Sequence, residues 1–141
     1  LRLGPDRVEL ALDSDLPIIS ADPVLLQRVI VNVLANADRL SPDDRRVRIA
    51  TSRIGRSAQI RIVDHGPGVP VDRQQEMFAP FQRMGDTDNT TGLGLGLALS
   101  RGFTEGMGGT LYPEDTPGGG LTMVIELPIA DDGSADARLD A

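Results

Sequence analysis

Gly92-Leu93-Gly94-Leu95-Gly96-Leu97-Ala98-Leu99-Ser100 is the stretch on which the reading of this chain turns. Three glycines at alternate positions run straight into apolar residues. The first half therefore reads as a flexible turn and the second as the start of a helix. Glycine adopts dihedrals closed to other residues and lets backbone approach a ligand closely. A helix that begins there offers unpaired N–H groups and the positive end of its dipole, which is a place to hold phosphate. The spacing fits neither G-x-G-x-x-G nor G-x-x-x-x-G-K-[ST], which argues against a dinucleotide fold or a P-loop. Taken alone, the segment also reads as a plain helix start with no ligand, so the rest of the chain decides.

Downstream, the helix is expected to run from about Leu93 to Met107, with Leu95, Leu99 and Phe103 four apart, and to stop at Gly108-Gly109. Thr110-Leu111-Tyr112 reads as a strand, Asp115 to Gly120 as a Pro/Gly-rich turn, and Leu121 to Leu127 as the last strand. The domain is expected to span residues 1–128; residues 129–141 are acidic and poor in apolar side chains, the composition of a disordered tail. Upstream, Asp64 to Gly92 shows almost no regular pattern. It contains the turn His65-Gly66-Pro67-Gly68-Val69-Pro70, a short helix over Arg73 to Met77, the hinge Phe78-Ala79-Pro80-Phe81, and a polar, aperiodic segment from Gly85 to Thr91 expected to be mobile. Loops that long in a compact domain are usually functional or disordered.

The first part of the chain is regular. Arg7 to Leu12 reads as an edge-type strand with Val8, Leu10 and Leu12 on one face. Ile18 and Ile19 are expected to tuck into the core. Asp22-Pro23 opens a helix, since Asp caps well and Pro at the first helical position loses no hydrogen bond. Leu25, Val29 and Val33, with Leu26, Ile30 and Leu34, give that helix one broad apolar face, and Ser41-Pro42 ends it. Arg46 to Ser52 and Gln59 to Asp64 alternate as two strands around a Gly55-Arg56 hairpin turn. Hairpin strands with helices between them imply a mixed sheet covered on one face by helices, a two-layer α/β sandwich.

Composition removes several classes of function. The chain has 141 residues, enough for one domain with a real core, and a formal net charge of −7. Its arginines are scattered, so nothing offers a nucleic acid a basic face. The absence of cysteine excludes disulfides and thiolate metal sites, and a single histidine cannot form a histidine cluster. No run approaches the roughly 20 apolar residues that span a bilayer. No signal peptide is visible and the first residue is Leu1, so a cytoplasm-facing piece of a longer protein, without direct membrane contact of its own, is expected.

Against this background a few polar residues stand out. Asn32 and Asn36 lie four apart within the first helix and share a face, and Arg39 can lean to the same side. Asn is a weak helix former, and its amide oxygen is a neutral, hard ligand suited to magnesium held mostly by phosphates and water. The same two residues could equally face solvent or cap a neighbouring loop. Asp64 closes a strand just before Gly66 and Gly68. A carboxylate there can accept from an exocyclic amine, or be an ordinary solvated turn residue. His65 has no acidic helical partner and sits inside the turn, so it is rejected as a phosphoacceptor.

The order of these signals is more specific than any one of them. Asn32-Val-Leu-Ala-Asn36, Asp64-His-Gly-Pro-Gly68, Phe78-Ala-Pro-Phe81-Gln-Arg83 and Gly92-Leu-Gly-Leu-Gly96 resemble the N box, first glycine box, F box and second glycine box of the ATP-binding catalytic domain of sensor histidine kinases. That domain is related to the ATPase domains of gyrase, Hsp90 and MutL. The resemblance covers roughly Asp22 to Pro128. Asp88 to Gly102, with Thr110 to Thr122, further resembles the potassium-responsive Kdp sensor kinases of high-GC Gram-positive bacteria.

The resemblance implies a Bergerat-type ATP-binding fold, with ATP and Mg²⁺ as cofactors. It implies that Asn36 holds magnesium and acts with Arg39 in catalysis, and that Asn32 assists at the phosphates. Asp64 would bind the adenine amine, with Gly66 and Gly68 beside the purine. Arg83, the stretch Gly92, Leu93, Gly94, Leu95, Gly96 and Leu97, and Thr122 would complete the nucleotide site. Residues from about Gly68 to Gly92 would form the ATP lid. The partners implied are a histidine-bearing dimerisation domain of the same full-length kinase and a response regulator. The full-length kinase would be a homodimer in the plasma membrane, and this piece a monomer. Ala35 stands where many relatives carry an acid, and Asp38 is unusual beside Arg39. An autonomous ATPase or serine kinase of the same fold, and a degenerate module that binds partners, are the competing readings.

Overall fold

Asp22 caps the first helix as its sequence leads one to expect: its carboxylate accepts from the N–H groups of Val24 (2.9 Å) and Leu25 (3.2 Å). In a computed structural model that describes residues 6–13, 19–79 and 96–130, the helix α1 runs Pro23–Leu40 and buries Val29, Val33 and Ala37. It follows β1 (Val8–Ala11) and precedes β2 (Val47–Ile54) and β3 (Ser57–Val63). A 3₁₀ segment covers Val71–Phe78; α2 is Gly96–Gly106; β4 (Thr110–Asp115) and β5 (Leu121–Pro128) close the fold. The sheet order is β1-β2-β3-β5-β4, with β1 parallel to β2 and every other pair antiparallel. The two-layer α/β sandwich with a mixed sheet is what the sequence implied.

Both helices lie on one face of the sheet. Val47, Ile60, Ile62, Leu111, Met123, Ile125 and Leu127 point into the core they share with Val29 and Val33. Each fully buried aliphatic side chain contributes about 1.5–3 kcal/mol by leaving water. The opposite face carries a polar ladder in which Gln59 donates to Tyr112 (3.2 Å) and Glu126 (3.4 Å), and Arg61 pairs with Glu114.

Several local expectations are corrected. Leu10 shares the helix-side row with Val47 and Ile49 through the β1–β2 register, yet it is 61% exposed. The helices cover the middle of the sheet and leave the β1 edge uncovered. Leu99 is 48% exposed, and α2 instead buries Ser100 and Thr104. Their small side chains form the buried line of that helix, and Thr104 Oγ1 satisfies itself on Ser100 O at 2.7 Å. The fourth strand does not stop at Tyr112 but continues through Pro113 to Asp115. It is an edge strand, where a missing N–H costs no ladder bond. The short helix is a 3₁₀ turn system beginning at Val71, with Arg73 N bonded to Pro70 O at 2.8 Å. Ile19 packs against the core, as expected, and bridges Ile129. Ile18 and residues 131–141 lie outside the described residues.

Candidate functional site

At the end where β3 leaves the sheet and β5 begins it, Asp64 is only 2% exposed. The reason is local. Asp64 N donates to Leu121 O (2.9 Å), while its Oδ1 accepts from Leu121 N (2.9 Å) and Gly66 N (3.0 Å). Among the described residues the second carboxylate oxygen has no hydrogen-bond partner. Burial pushes the Asp64 carboxyl above its ordinary value; the N–H groups of Leu121 and Gly66 and the neighbouring His65 pull the other way. A buried, orphaned acceptor fixed by two main-chain donors is suited to receive one more donor from outside.

Two glycines let these parts close up. A Cβ on Gly66 would stand 2.3 Å from Leu40 O, and one on Gly120 would stand 2.1 Å from Asp64 O at a φ of +115°. Gly66 is therefore demanded by the chain's own packing on the end of α1, whatever ligand lies beside it. Ser41 Oγ accepts from His65 N at 3.3 Å and ties the same two segments together. Gly68, with a φ of +77°, approaches Gly120 across the turn.

The second group lies on α1. Arg39 Nη2 donates to Asn36 Oδ1 at 2.6 Å, so the shared face expected from their spacing is real. Asn32 sits one turn earlier, half-buried, and its Nδ2 donates to Ser100 Oγ of α2 at 3.3 Å. Leu97 packs against the core, and Gly96 opens α2. Thr122 pairs with Val63 in the sheet, on the face opposite Leu121 and Met123. Its hydroxyl meets Thr116 Oγ1 at 2.9 Å, and Thr116 Oγ1 lies 3.2 Å from the main-chain oxygen of Asp64. A carbonyl only accepts, so both bonds form when Thr122 donates to Thr116. That chain reaches the backbone of Asp64 and not its carboxylate. Phe81, Arg83, Gly92, Leu93, Gly94, Leu95 and the segment Gly85–Thr91 lie outside the described residues.

Supporting residues that the sequence did not announce are Ser41, Ser100, Thr116 and Gln74. Gln74 Nε2 joins Val69 O and Asp115 Oδ1, both at 3.0 Å, and so pins the turn after Asp64 to β4. One signal was available: polar residues inside helices with otherwise apolar faces.

Among the described residues no three His, Cys, Asp or Glu side chains gather to cage a metal, and no helix is long and apolar enough to cross a membrane. Asn36 Oδ1 already faces a cation, the Arg39 guanidinium. A single neutral oxygen of that kind fits Mg²⁺ brought in on phosphate oxygens, and would not hold a metal alone.

Residues 21–131 match the family model described as histidine kinase-, DNA gyrase B-, and HSP90-like ATPase. The sensor protein KdpD of Rathayibacter rathayi is 60% identical over 141 residues, which is all of this chain and 16% of that protein. The KdpD of Mycobacterium tuberculosis (strain CDC 1551 / Oshkosh) is 49% identical over 131 residues, 93% of this chain and 15% of that protein. The chain thus spans about one sixth of the length of these relatives. Among solved structures, full-length ShkA in complex with AMPPNP aligns with a TM-score of 0.75 at 30% identity, covering 88% of this chain and 26% of ShkA.

Proposed function

The chain belongs to the histidine kinase-, DNA gyrase B- and HSP90-like ATPase family, and we propose from that premise that it holds ATP·Mg²⁺ for phosphotransfer to a histidine on a separate dimerisation domain. The observation that carries this reading is the Asp64 carboxylate: 2% exposed, fixed through one oxygen by two N–H groups, with the other oxygen left for a donor. The adenine N6 amine is a donor of the right kind. ShkA, which shares this fold at 30% identity, was solved in complex with AMPPNP, and that supports a nucleotide ligand for the chain.

In this reading Asp64 reads the base, with Gly66 and Gly68 beside it. Asn36 offers its amide oxygen to the metal, and Arg39 turns its guanidinium to the phosphates, joined by Asn32 and Arg83. The glycine-rich stretch Gly92 to Leu97, which leads in sequence into α2, is assigned to phosphate contact. Thr122 supports the base end through Thr116 and the Asp64 backbone. Mg²⁺, when bound, neutralises phosphate charge and orients the terminal phosphoryl group. The chain's own work is positioning and charge neutralisation. The full-length protein is proposed to be a Kdp-type, potassium-responsive homodimeric sensor kinase of the plasma membrane that passes its phosphoryl group to a response regulator. Residues 1–128 form the ATP-binding domain in this proposal, with an acidic tail after them.

The test is calorimetric titration with ATP, with and without Mg²⁺, followed by addition of a histidine-bearing helical domain from the same kinase. The chain alone is expected to bind ATP and take up no acid-labile phosphate, and the pair to transfer it in a Mg²⁺-dependent way. No binding in either metal state would leave the degenerate-module reading standing. Label on the chain alone that vanishes in His65→Gln would overturn the division of labour.

A further inference from the structure

Arg7 is the one buried arginine among the described residues, at 6% exposure, and it lies far in sequence from everything it touches. Its Nε and Nη2 converge on Asp38 Oδ1 at 2.8 and 2.6 Å. Nη2 also reaches Asp38 O at 3.4 Å. Nη1 reaches the carbonyls of Pro42 (3.2 Å), Asp43 (3.1 Å) and Arg45 (3.2 Å). The guanidinium thus spends its whole donor fork on the last turn of α1 and the loop that follows. Arg7 O accepts from Val47 N at 2.8 Å, which fixes the same residue to the start of β2.

Asp38 gains from this in a specific way. A carboxylate in the last turn of a helix faces the negative end of the dipole, and it is 7% exposed here. Removing Arg7 would take away the bidentate partner of a buried charge, which is costly. Apolar residues of similar volume could fill the same space, and such replacements of buried ion pairs are often neutral or stabilising. What an apolar pair lacks is direction: it does not hold three loop carbonyls or fix the rotation of the turn.

That turn carries the proposed phosphate-end residues and supports the base end. Asn36 and Arg39 flank Asp38 on α1. Leu40 O presses on Gly66, and Ser41 Oγ receives His65 N–H. We propose that Arg7 is a positioning residue for nucleotide binding: through Asp38 and the carbonyls of residues 42, 43 and 45 it sets the last turn of α1, and with it Asn36, Arg39 and the floor of the Asp64 turn. The proposal rests on the nucleotide reading of the site given above.

The experiment compares the 141-residue chain with Arg7→Lys, Arg7→Gln and the double variant Arg7→Met/Asp38→Leu. Thermal melts by circular dichroism and ATP·Mg²⁺ titration by calorimetry are run on each, the titrations well below every melting temperature. The double variant is expected to melt close to the wild type yet bind ATP·Mg²⁺ about tenfold more weakly, a loss of fit and not of folding. Arg7→Lys, which keeps the charge but loses the planar fork, should fall between. Wild-type affinity in the double variant, or in Arg7→Lys if the double variant does not fold, overturns the proposal. A wild-type chain that binds no ATP brings down the nucleotide reading itself, a result distinct from unchanged affinity in the variants.

Discussion

The two ends of the proposed site are built by different means. The base end is backbone architecture: Asp64 is buried, held by the N–H groups of Leu121 and Gly66, and pressed from behind by the end of α1. The phosphate end is side-chain chemistry on the last turns of a helix, where exposed Arg39 donates to half-buried Asn36 at 2.6 Å. The first is preorganised and can change little when a ligand arrives. The second must rearrange, because a metal arriving at Asn36 Oδ1 meets an oxygen that already accepts from the Arg39 guanidinium. The difference predicts which substitutions act on every adenine nucleotide and which act only through metal and phosphate.

The largest effect is expected at the base end. Asp64→Asn should weaken ATP and ADP binding alike, by about tenfold or more, since a shielded hydrogen bond to a charged group is worth roughly 1.5–3 kcal/mol. The same substitution should stabilise the free protein. The folded-state pKa of Asp64 lies above its ordinary value of 3.8 because of burial. Its penalty is therefore absent well below that ordinary value, grows as pH rises from it toward the folded pKa, and is full above the folded pKa. A gain in Tm for Asp64→Asn at pH 7, at roughly 2–4 °C per kcal/mol for a chain of this size, should shrink as the pH is lowered toward 4. Equal melting temperatures at both pH values, or unchanged nucleotide affinity, would remove the contrast drawn here.

Asn36→Ala should act differently. Alanine suits a helix interior, so melting should be unaffected or slightly raised. ATP affinity should drop several-fold in the presence of Mg²⁺ and hardly at all in EDTA, with ADP affected less than ATP. Loss of affinity that is the same in EDTA would place Asn36 in general packing and not at a metal.

The same contrast explains how much the sequence revealed. Local signals carried the elements: the Asp22-Pro23 cap, the four-residue spacing along α1, and the alternation in β2 and β3 each need only a few neighbouring residues to be read. The contact between Asn36 and Arg39 was legible for that reason, the two being three apart on one helix. Residues whose roles depend on distant partners were not. Arg7 read as a strand start, and its partner Asp38 as an oddity, because 31 residues separate them. Ser100 read as one more helix residue, although Asn32, 68 positions earlier, donates to it. Of the apolar face expected on α2, Phe103 packs against the core while Leu99 is exposed, on the same ground. Periodicity reports which residues share a face, and only tertiary packing decides which face is covered.

The smallest effect, and the finest test of the comparison, concerns salt. Arg39→Gln removes one cation from an exposed position, where ion pairs are worth about 0–1 kcal/mol and are screened. ATP·Mg²⁺ affinity should fall by about two- to fivefold in low salt, and that ratio should approach one in roughly 0.5 M salt, where the Debye length is only several ångström. ADP should show a smaller loss, having less phosphate charge to meet. Asp64→Asn should keep its full affinity ratio across the same salt series, because its contact is buried and short-ranged. Titrations of both variants with ATP and ADP at low and high salt therefore give a single comparison. A salt-independent loss for Arg39→Gln would mean that the guanidinium works mainly by holding Asn36 in place, and the phosphate end would then be as preorganised as the base end.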